Sequence, residues 1–423
     1  MTQTVRFRGR WTPEDRIVSA WHYLSVEVPI GCAGLRAELR YDRSAPALLN
    51  LGCLGPNGFR GWSGGARDWF AITPAAATPG YLPGELEPGR WQVIIGLYRV
   101  PTSGVSWELN VETFRRAPDR LLPDDPSPGA VPAPAERPSR RPLPAAVGRV
   151  WLAGDLHTHT VHSDGELTVP ELAALAVRRG LDFLAVTDHN TISHHASLSI
   201  VSRRYGVTLL PGQEVTTDRG HAGALGDVGW IDFRLSPDEW LNATDQAGGL
   251  LSVNHPFAGA DSWIYPMRHR PPLLEVWHFS WQDMRWTTPL SWWLAWDPAA
   301  VPVGGSDWHR PGTGAPPGQP TTWVECEVDS GQAGKNRTPA DLVSVDAVLD
   351  GLRAGRVAIS AKRDGPVLLR HDGDLLAIGA DGLILVGPDG PCTRVRGDRT
   401  RFSSTPGCHR LTDDSGRMLA LTP

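Results

Sequence analysis

The sequence predicts an α/β protein built on a parallel barrel, with an all-β domain before it and a small β segment after it. Between about residues 148 and 360, short apolar runs alternate with helical patterns, as strands and covering helices of such a barrel do. His, Asp and Glu fall at the ends of those apolar runs, where a parallel barrel gathers its strand ends around one mouth. Before 118 and after 360 the pattern changes to short alternating strands punctuated by Gly, Pro and Asp.

Taken in order, residues 1–118 form the N-terminal domain. "HYLSVEVPI" and "GRWQVIIGLYRV" alternate apolar and polar positions between turns such as "GPNGFRGWSGG", a pattern that closes as a β-sandwich. Residues 119–147 are dense in Pro and lack apolar periodicity, so they read as a semi-rigid linker. The barrel occupies 148–360. Its strand candidates are "RVWLAGDLH", "DFLAVTDH", "VTLLPGQEV", "LLSVNHP", "LLEVW" and "AVPVGGSDWH". "TVPELAALAVRRG" carries a capping box, Thr168 with Glu171, and stops at Gly180. "SVDAVLDGLRAGR" is a late amphipathic helix, and 361–423 form the β-rich C-terminal appendage.

The chain has 423 residues, a net charge of −5 and no run of Lys or Arg, which argues against a nucleic-acid platform and leaves a small-molecule substrate. The first residues lack a signal-peptide layout and no apolar run spans a membrane, so a cytoplasmic location is expected. Five scattered cysteines without CxxC spacing read as reduced thiols. Nothing in the sequence fixes an oligomeric state.

The histidines are concentrated: of 14, all but three lie between 157 and 309. Residues 154–166, "GDLHTHTVHSDGE", supply His157, His159 and Asp164 after the first strand. Later strands end in Asp188 and His189, in Glu214 with His221 seven residues on, in His255, and in Asp307 with His309. Neutral imidazole and carboxylate are ligands for Zn²⁺, Mn²⁺ or Fe²⁺, and no cysteine takes part. Asp188 reads as orienting His189 or capping the following turn; the remaining six histidines and three carboxylates exceed one ion's needs, whereas two or three ions sharing a carboxylate would use them all.

In that order, "DLHTHTVHSDG", "TDH", "GQEV…GH", "NHP" and "GSDWH" resemble the motifs of the PHP (polymerase and histidinol phosphatase) domain over about residues 150–360. The resemblance implies a distorted (β/α)7 barrel holding two or three divalent metal ions. By position it implies that His157, His159, Glu214 and Asp307 hold the first ion, and that Glu214 bridges to a second held by His221 and His255. Asp164, His189 and His309 would hold a third. The flanks "FRGWSGGARDWFAI", "PGYLPGELEPGRWQVIIGLYRV", "EVTTDRGHAGALG" and "VGGSDWHR" further resemble a branch containing carbaryl-hydrolase-type metallohydrolases. Where many relatives read "EVWNG", this chain reads "EVWHFS", which brings His278 towards the mouth and leaves the substrate class open.

The expected activity is a divalent-metal-dependent hydrolase that uses a hydroxide shared between metals, with Glu214 and Asp307 as its catalytic carboxylates. Asp307 would orient the attacking hydroxide or take its proton. A phosphoesterase acting on small phosphate esters leads. A carbamate or carboxyl ester hydrolase for aryl substrates is the alternative, favoured by the tryptophan-rich "HFSWQDMRWTTPLSWWLAW". His278 and Arg310 are candidate substrate contacts. A non-catalytic PHP module stands as the remaining alternative, against which the intact ligand pattern argues.

Overall fold

The computed structural model describes residues 2–44, 46–118, 121, 136–281, 283–328, 343–390 and 392–423. They divide into two compact units. The first comprises Met1–Val131, Val161–Asp164 and Asp188–His194, and the second Pro132–Thr160, Gly165–Thr187 and His195–Pro423.

Within the first unit, two four-stranded antiparallel sheets share one core. One runs Thr2–Trp11, Val105–Phe114, Gly34–Tyr41, Trp69–Ile72, and the other Trp21–Val28, Gly89–Arg99, Leu48–Gly55, Gly58–Gly64. The period-2 pattern of Val105–Phe114 turns Val105, Trp107, Leu109 and Val111 inward and leaves Ser106 and Glu108 exposed. Leu35, Leu39 and Leu109 of one sheet join Leu51, Val93 and Ile95 of the other in that core. Each such side chain contributes about 2 kcal/mol through burial. This is the sandwich expected from the turn spacing. Of the expected linker, 119, 120 and 122–135 lie outside the described residues, and 136–146 carry neither helix nor strand.

The second unit is α/β, organised around a 13-stranded mixed sheet among the described residues. Strands Arg149–Asp155, Phe183–Val186 and Thr208–Thr217 are parallel, as are Leu250–Asn254, Leu273–His278 and Val301–Gly305. The six strands expected from the sequence are therefore present. Helix Val169–Arg178 follows the first of them with its capping box intact, and Gly180 leaves it at φ 73°. Helix Val345–Arg353 is N-capped by Ser344.

Two features depart from the expected parallel (β/α)7 barrel. Gly220–Leu225 enters the sheet antiparallel to both its neighbours, and Thr321–Glu327 pairs antiparallel with the first strand. The strand order also begins at Val301–Gly305 rather than returning to it. That strand meets Thr321–Glu327 through a side chain: Thr322 Oγ1 accepts from Gly304 N–H at 2.9 Å and donates to Gly304 O at 2.8 Å. A hydroxyl occupies the place of a backbone ladder, so the (β/α)7 closure is not recorded. The C-terminal strands continue this sheet, with Ile359 paired to Leu421, and a three-stranded sheet Val367–His371, Asp374–Ile378, Arg399–Ser403 stands beside them. No helix of the described residues is long and apolar enough to cross a membrane.

Candidate metal centre

The first parallel strand ends at Asp155, and the chain continues extended, with Thr158 bridged to Trp308. Alternation along that segment puts His157 and His159 on one side. Both reach the same two carboxylates. His157 Nε2 lies 3.0 Å from Glu214 Oε1 and 3.2 Å from Asp307 Oδ1, while His159 Nε2 lies 3.0 Å from Asp307 Oδ1 and 3.6 Å from Glu214 Oε2.

Glu214 is the hub. Its Oε1 also has His221 Nδ1 at 3.4 Å and His255 Nε2 at 3.2 Å, and accepts a hydrogen bond from Asn254 Nδ2 at 3.0 Å. The sequence reading ends a strand at Glu214, but the strand runs on to Thr217. A two-residue turn then returns the chain as Gly220–Leu225, and the pairing of His221 with Thr216 and Asn254 sets it beside Glu214 and His255. His309 stacks on His159 with ring centroids 4.1 Å apart, and its Nδ1 lies 3.6 Å from Asp307 Oδ1.

This packing is costly without a cation. His157, His159, Glu214, His221 and His255 are all buried. Among the described residues, His157 Nε2, His255 Nδ1 and Asp307 Oδ1 are buried without a hydrogen-bond partner in good geometry. Buried polar atoms are normally satisfied, and each orphan costs about 1–3 kcal/mol. His255 and Asp307 also sit at φ 26° and 49°, a left-handed backbone that costs about 1–3 kcal/mol per residue and clusters at functional sites. His157, His159, Glu214 and Asp307 each offer one ligand atom within 4.8 Å of the others. An imidazole and carboxylate donor set of this kind fits a divalent transition metal.

The charges follow the same logic. Burial alone would push His157 down, but the carboxylates of Glu214, Asp307 and Glu275 outweigh it and hold its imidazolium well above the ordinary histidine value. His255 is raised on the same balance, with burial opposed chiefly by Glu214. Burial would raise Asp307, yet the nearby rings of His157, His159 and His278 hold it well below the usual carboxylate range.

Three residues that support the centre escape sequence reasoning. Glu275 Oε1 lies 3.2 Å from His157 Nδ1, and its Oε2 accepts from His255 N–H at 2.8 Å. A Cβ at Gly305 would fall 2.3 Å from Glu275 Oε1 and 2.5 Å from His157 Cβ, so only glycine permits this approach. Asp155 ties the end of the first strand to the 306 turn, accepting from His157 N, Ser306 N and Gly318 N; burial pushes its carboxyl up to about 6. Asn254 braces Glu214. The available signal was a Glu inside the apolar run "LLEVW" and an Asp two residues before the HxH pair.

The remaining expected residues fall as follows. Asp164 and His189 meet in the first unit, Asp164 Oδ1 3.5 Å from His189 Nε2. Asp188, read from sequence as an orienting or capping residue, accepts from Ser163 N at 3.0 Å and Ser163 Oγ at 2.7 Å. His278 is buried with Nε2 3.3 Å from Asp307 Oδ2. Its Nδ1 accepts from Ser280 N–H at 3.2 Å, so in the neutral ring Nε2 carries the proton and faces Asp307 as a donor. Arg310 is exposed. Of the tryptophans, Trp263, Trp277, Trp281, Trp293 and Trp308 are buried, while Trp286 stays 46% exposed beside Phe257.

Residues 155–255 match the model of the PHP domain. An uncharacterised protein of Methanocaldococcus jannaschii, MJ1587, is 29% identical over 118 residues, 25% of this chain and 69% of that protein. The 3′,5′-nucleoside bisphosphate phosphatase of Chromobacterium violaceum is 28% identical over 141 residues, 30% of this chain. The match spans 47%, about half, of that phosphatase. Among solved structures, a two-domain protein of Bacteroides vulgatus containing a predicted PHP-like metal-dependent phosphoesterase aligns over 68% of this chain and 91% of its own, with a TM-score of 0.41 and 17% identity. None of these relatives supports the carbaryl-hydrolase-type branch suggested by the flanking motifs.

Proposed function

We propose that this chain, whose residues 155–255 match the PHP domain model, is a divalent-metal-dependent phosphoesterase that hydrolyses small phosphate esters. The observation that carries this reading is the buried Glu214 carboxylate, with His157, His221 and His255 nitrogens within 3.4 Å of one of its oxygens and His159 at the other. His157, His159, Glu214 and Asp307 would hold one ion, and Glu214, His221 and His255 a second. Asp164 and His189, 3.5 Å apart, would contribute to a third. Divalent ions bound there supply Lewis acidity towards a phosphoryl oxygen and make water a nucleophile near neutral pH.

The protein's own groups divide the remaining work. Asp307, with its Oδ1 beside His157 and His159 at 3.2 and 3.0 Å, is placed to orient the attacking water or accept its proton. His278, with its Nε2 proton towards Asp307, donates a hydrogen bond that holds that carboxylate in place. Glu275 fixes the His157 ring, and Arg310 on the surface pairs with an anionic part of the substrate. The name of the Chromobacterium violaceum relative, a nucleoside bisphosphate phosphatase, favours a phosphate monoester.

A second reading rests on a separate observation. Phe257, two residues beyond His255, packs edge-on against Trp286 and Trp292 at 5.9 and 5.5 Å. Such a cluster suits an aryl group, as in an aryl carbamate or ester. Turnover of p-nitrophenyl phosphate, bis-p-nitrophenyl phosphate and 1-naphthyl N-methylcarbamate by the metal-loaded protein separates the two. The phosphoesterase reading expects the monoester to be the best of the three, and is contradicted by hydrolysis of the carbamate alone.

A further inference from the structure

The turn "RGWSGGARDWF" stands out in the sequence and has no part in the chemistry above. In the first unit its Arg67 reaches the segment that carries Asp164, and Gly80, further along the same domain, reaches the segment that carries His189. Arg67 Nη1 donates to Ser163 O at 2.9 Å, and Nη2 donates to Val161 O. Both carbonyls lie within three residues of Asp164. The second segment is held in the same way: Gly80 N–H donates to Ser193 Oγ at 3.0 Å, and Thr191 Oγ1 donates to Gly80 O at 2.8 Å. Asp188 and Ser163 then tie one segment to the other, with His162 Nδ1 2.7 Å from Ser193 Oγ.

The fit between Gly80 and these segments is close. Gly80 sits at φ 98°, and a Cβ there would fall 2.9 Å from His162 O and 2.6 Å from Trp62 O. The Arg67 side chain thus holds the backbone before Asp164, and the Thr191 and Ser193 side chains hold the segment after His189 to the Gly80 backbone, on either side of a candidate pair whose side chains are 47% and 20% exposed. A metal ligand on a loop binds well only when its backbone is fixed beforehand, because ordering it on binding costs affinity.

We infer that the N-terminal β domain is a positioning device for one metal position: Arg67 and Gly80 fix the segments Val161–Asp164 and Asp188–His194, so that the Asp164–His189 pair binds its ion only in the presence of the clamp. The inference rests on the metal-centre reading proposed above. Arg67 is a positioning residue, acting through the backbone next to Asp164. The buried group around Glu214 does not depend on it.

The test uses the full chain and Mn²⁺ alone, with affinity for each equivalent read by titration and total content by elemental analysis. Wild type is expected to take up at least two equivalents. Arg67→Met is expected to weaken one equivalent by about 10- to 100-fold, the range for removal of supporting groups around metal ligands. The remaining equivalents, and the melting curve of the metal-free protein, stay at wild-type values. Arg67→Lys, which keeps a donor for Ser163 O, restores part of the loss. Thr191→Val, which keeps shape and removes one bond to Gly80, weakens the same equivalent and decides the matter should Arg67→Met not fold. Wild-type affinity for every equivalent in both Arg67→Met and Thr191→Val overturns the inference, as does equal loss of all equivalents in either. Failure of the wild-type chain to bind any Mn²⁺ overturns the metal-centre reading itself, and the inference with it.

Discussion

Glu275 Oε1 lies 3.2 Å from His157 Nδ1, while the opposite ring nitrogen of the same histidine faces Glu214 at 3.0 Å. One imidazole is thereby held between a bracing carboxylate and the carboxylate proposed as a metal ligand. Proton donation from Nδ1 to Glu275 leaves the Nε2 lone pair directed at the ligand side, the tautomer a metal requires.

Glu275→Gln should therefore keep the fold and weaken metal binding by about 10- to 100-fold, because a neutral amide no longer fixes that tautomer. Competition for the ion with a chelating dye measures the change. Unaltered affinity with unaltered activity would show that the carboxylate only fills space.

Glu214→Ala should abolish hydrolysis and lower metal content together. Its loss leaves His157, His159, His221 and His255 around a cavity with no bridging anion, and two cations would face each other without compensation. Elemental analysis of the purified variant beside a turnover assay checks both halves. An active variant with full metal content contradicts the bridging role.

The pH dependence has a definite sign. With no metal bound, the folded values of His157 and His255 are raised, so their imidazolium forms stabilise the fold below about pH 6.5, and this contribution is lost as pH rises through the raised values. Metal binding needs the neutral rings and strengthens over the same interval. Melting curves with and without chelator between about pH 6 and 9 should show a metal-dependent gap that widens with pH. A constant gap would mean that these histidines are not ligands.

The aromatic cluster makes its own prediction. If the rings of Phe257, Trp286 and Trp292 receive part of the substrate, phenyl phosphate should turn over faster than methyl phosphate, and Trp286→Ala should cut that preference by roughly fivefold, about 1 kcal/mol of aromatic contact. Equal rates for the two esters in the wild type would assign these rings to packing alone.

Much of this architecture is legible from local pattern. The capping box at Thr168 and Glu171, the six parallel strands and the HxH pair are short-range features, and each appears where residue spacing puts it. Gly220–Leu225 was missed because "GHAGAL" has little β-branched content and reads as a loop; its neighbours on either side make it a strand. The ends of the large sheet were illegible for a different reason. Whether Val301–Gly305 forms a ladder with Thr321–Glu327 depends on two segments meeting in space, and there a threonine hydroxyl substitutes for backbone pairing. Glu275 stayed hidden because one acidic residue inside an apolar strand gives no sign of the histidine it will meet. His194 is fully buried with Nδ1 3.2 Å from Asp188, a contact between positions six apart that periodicity does not reveal.

The central claim is that this buried histidine and carboxylate cluster is a multi-ion metal centre, and elemental analysis of the 423-residue chain tests it most directly. After purification and reconstitution with Mn²⁺ or Zn²⁺, the account predicts two to three ions per chain, reduced by Glu214→Ala. Less than one ion per chain after reconstitution would contradict it.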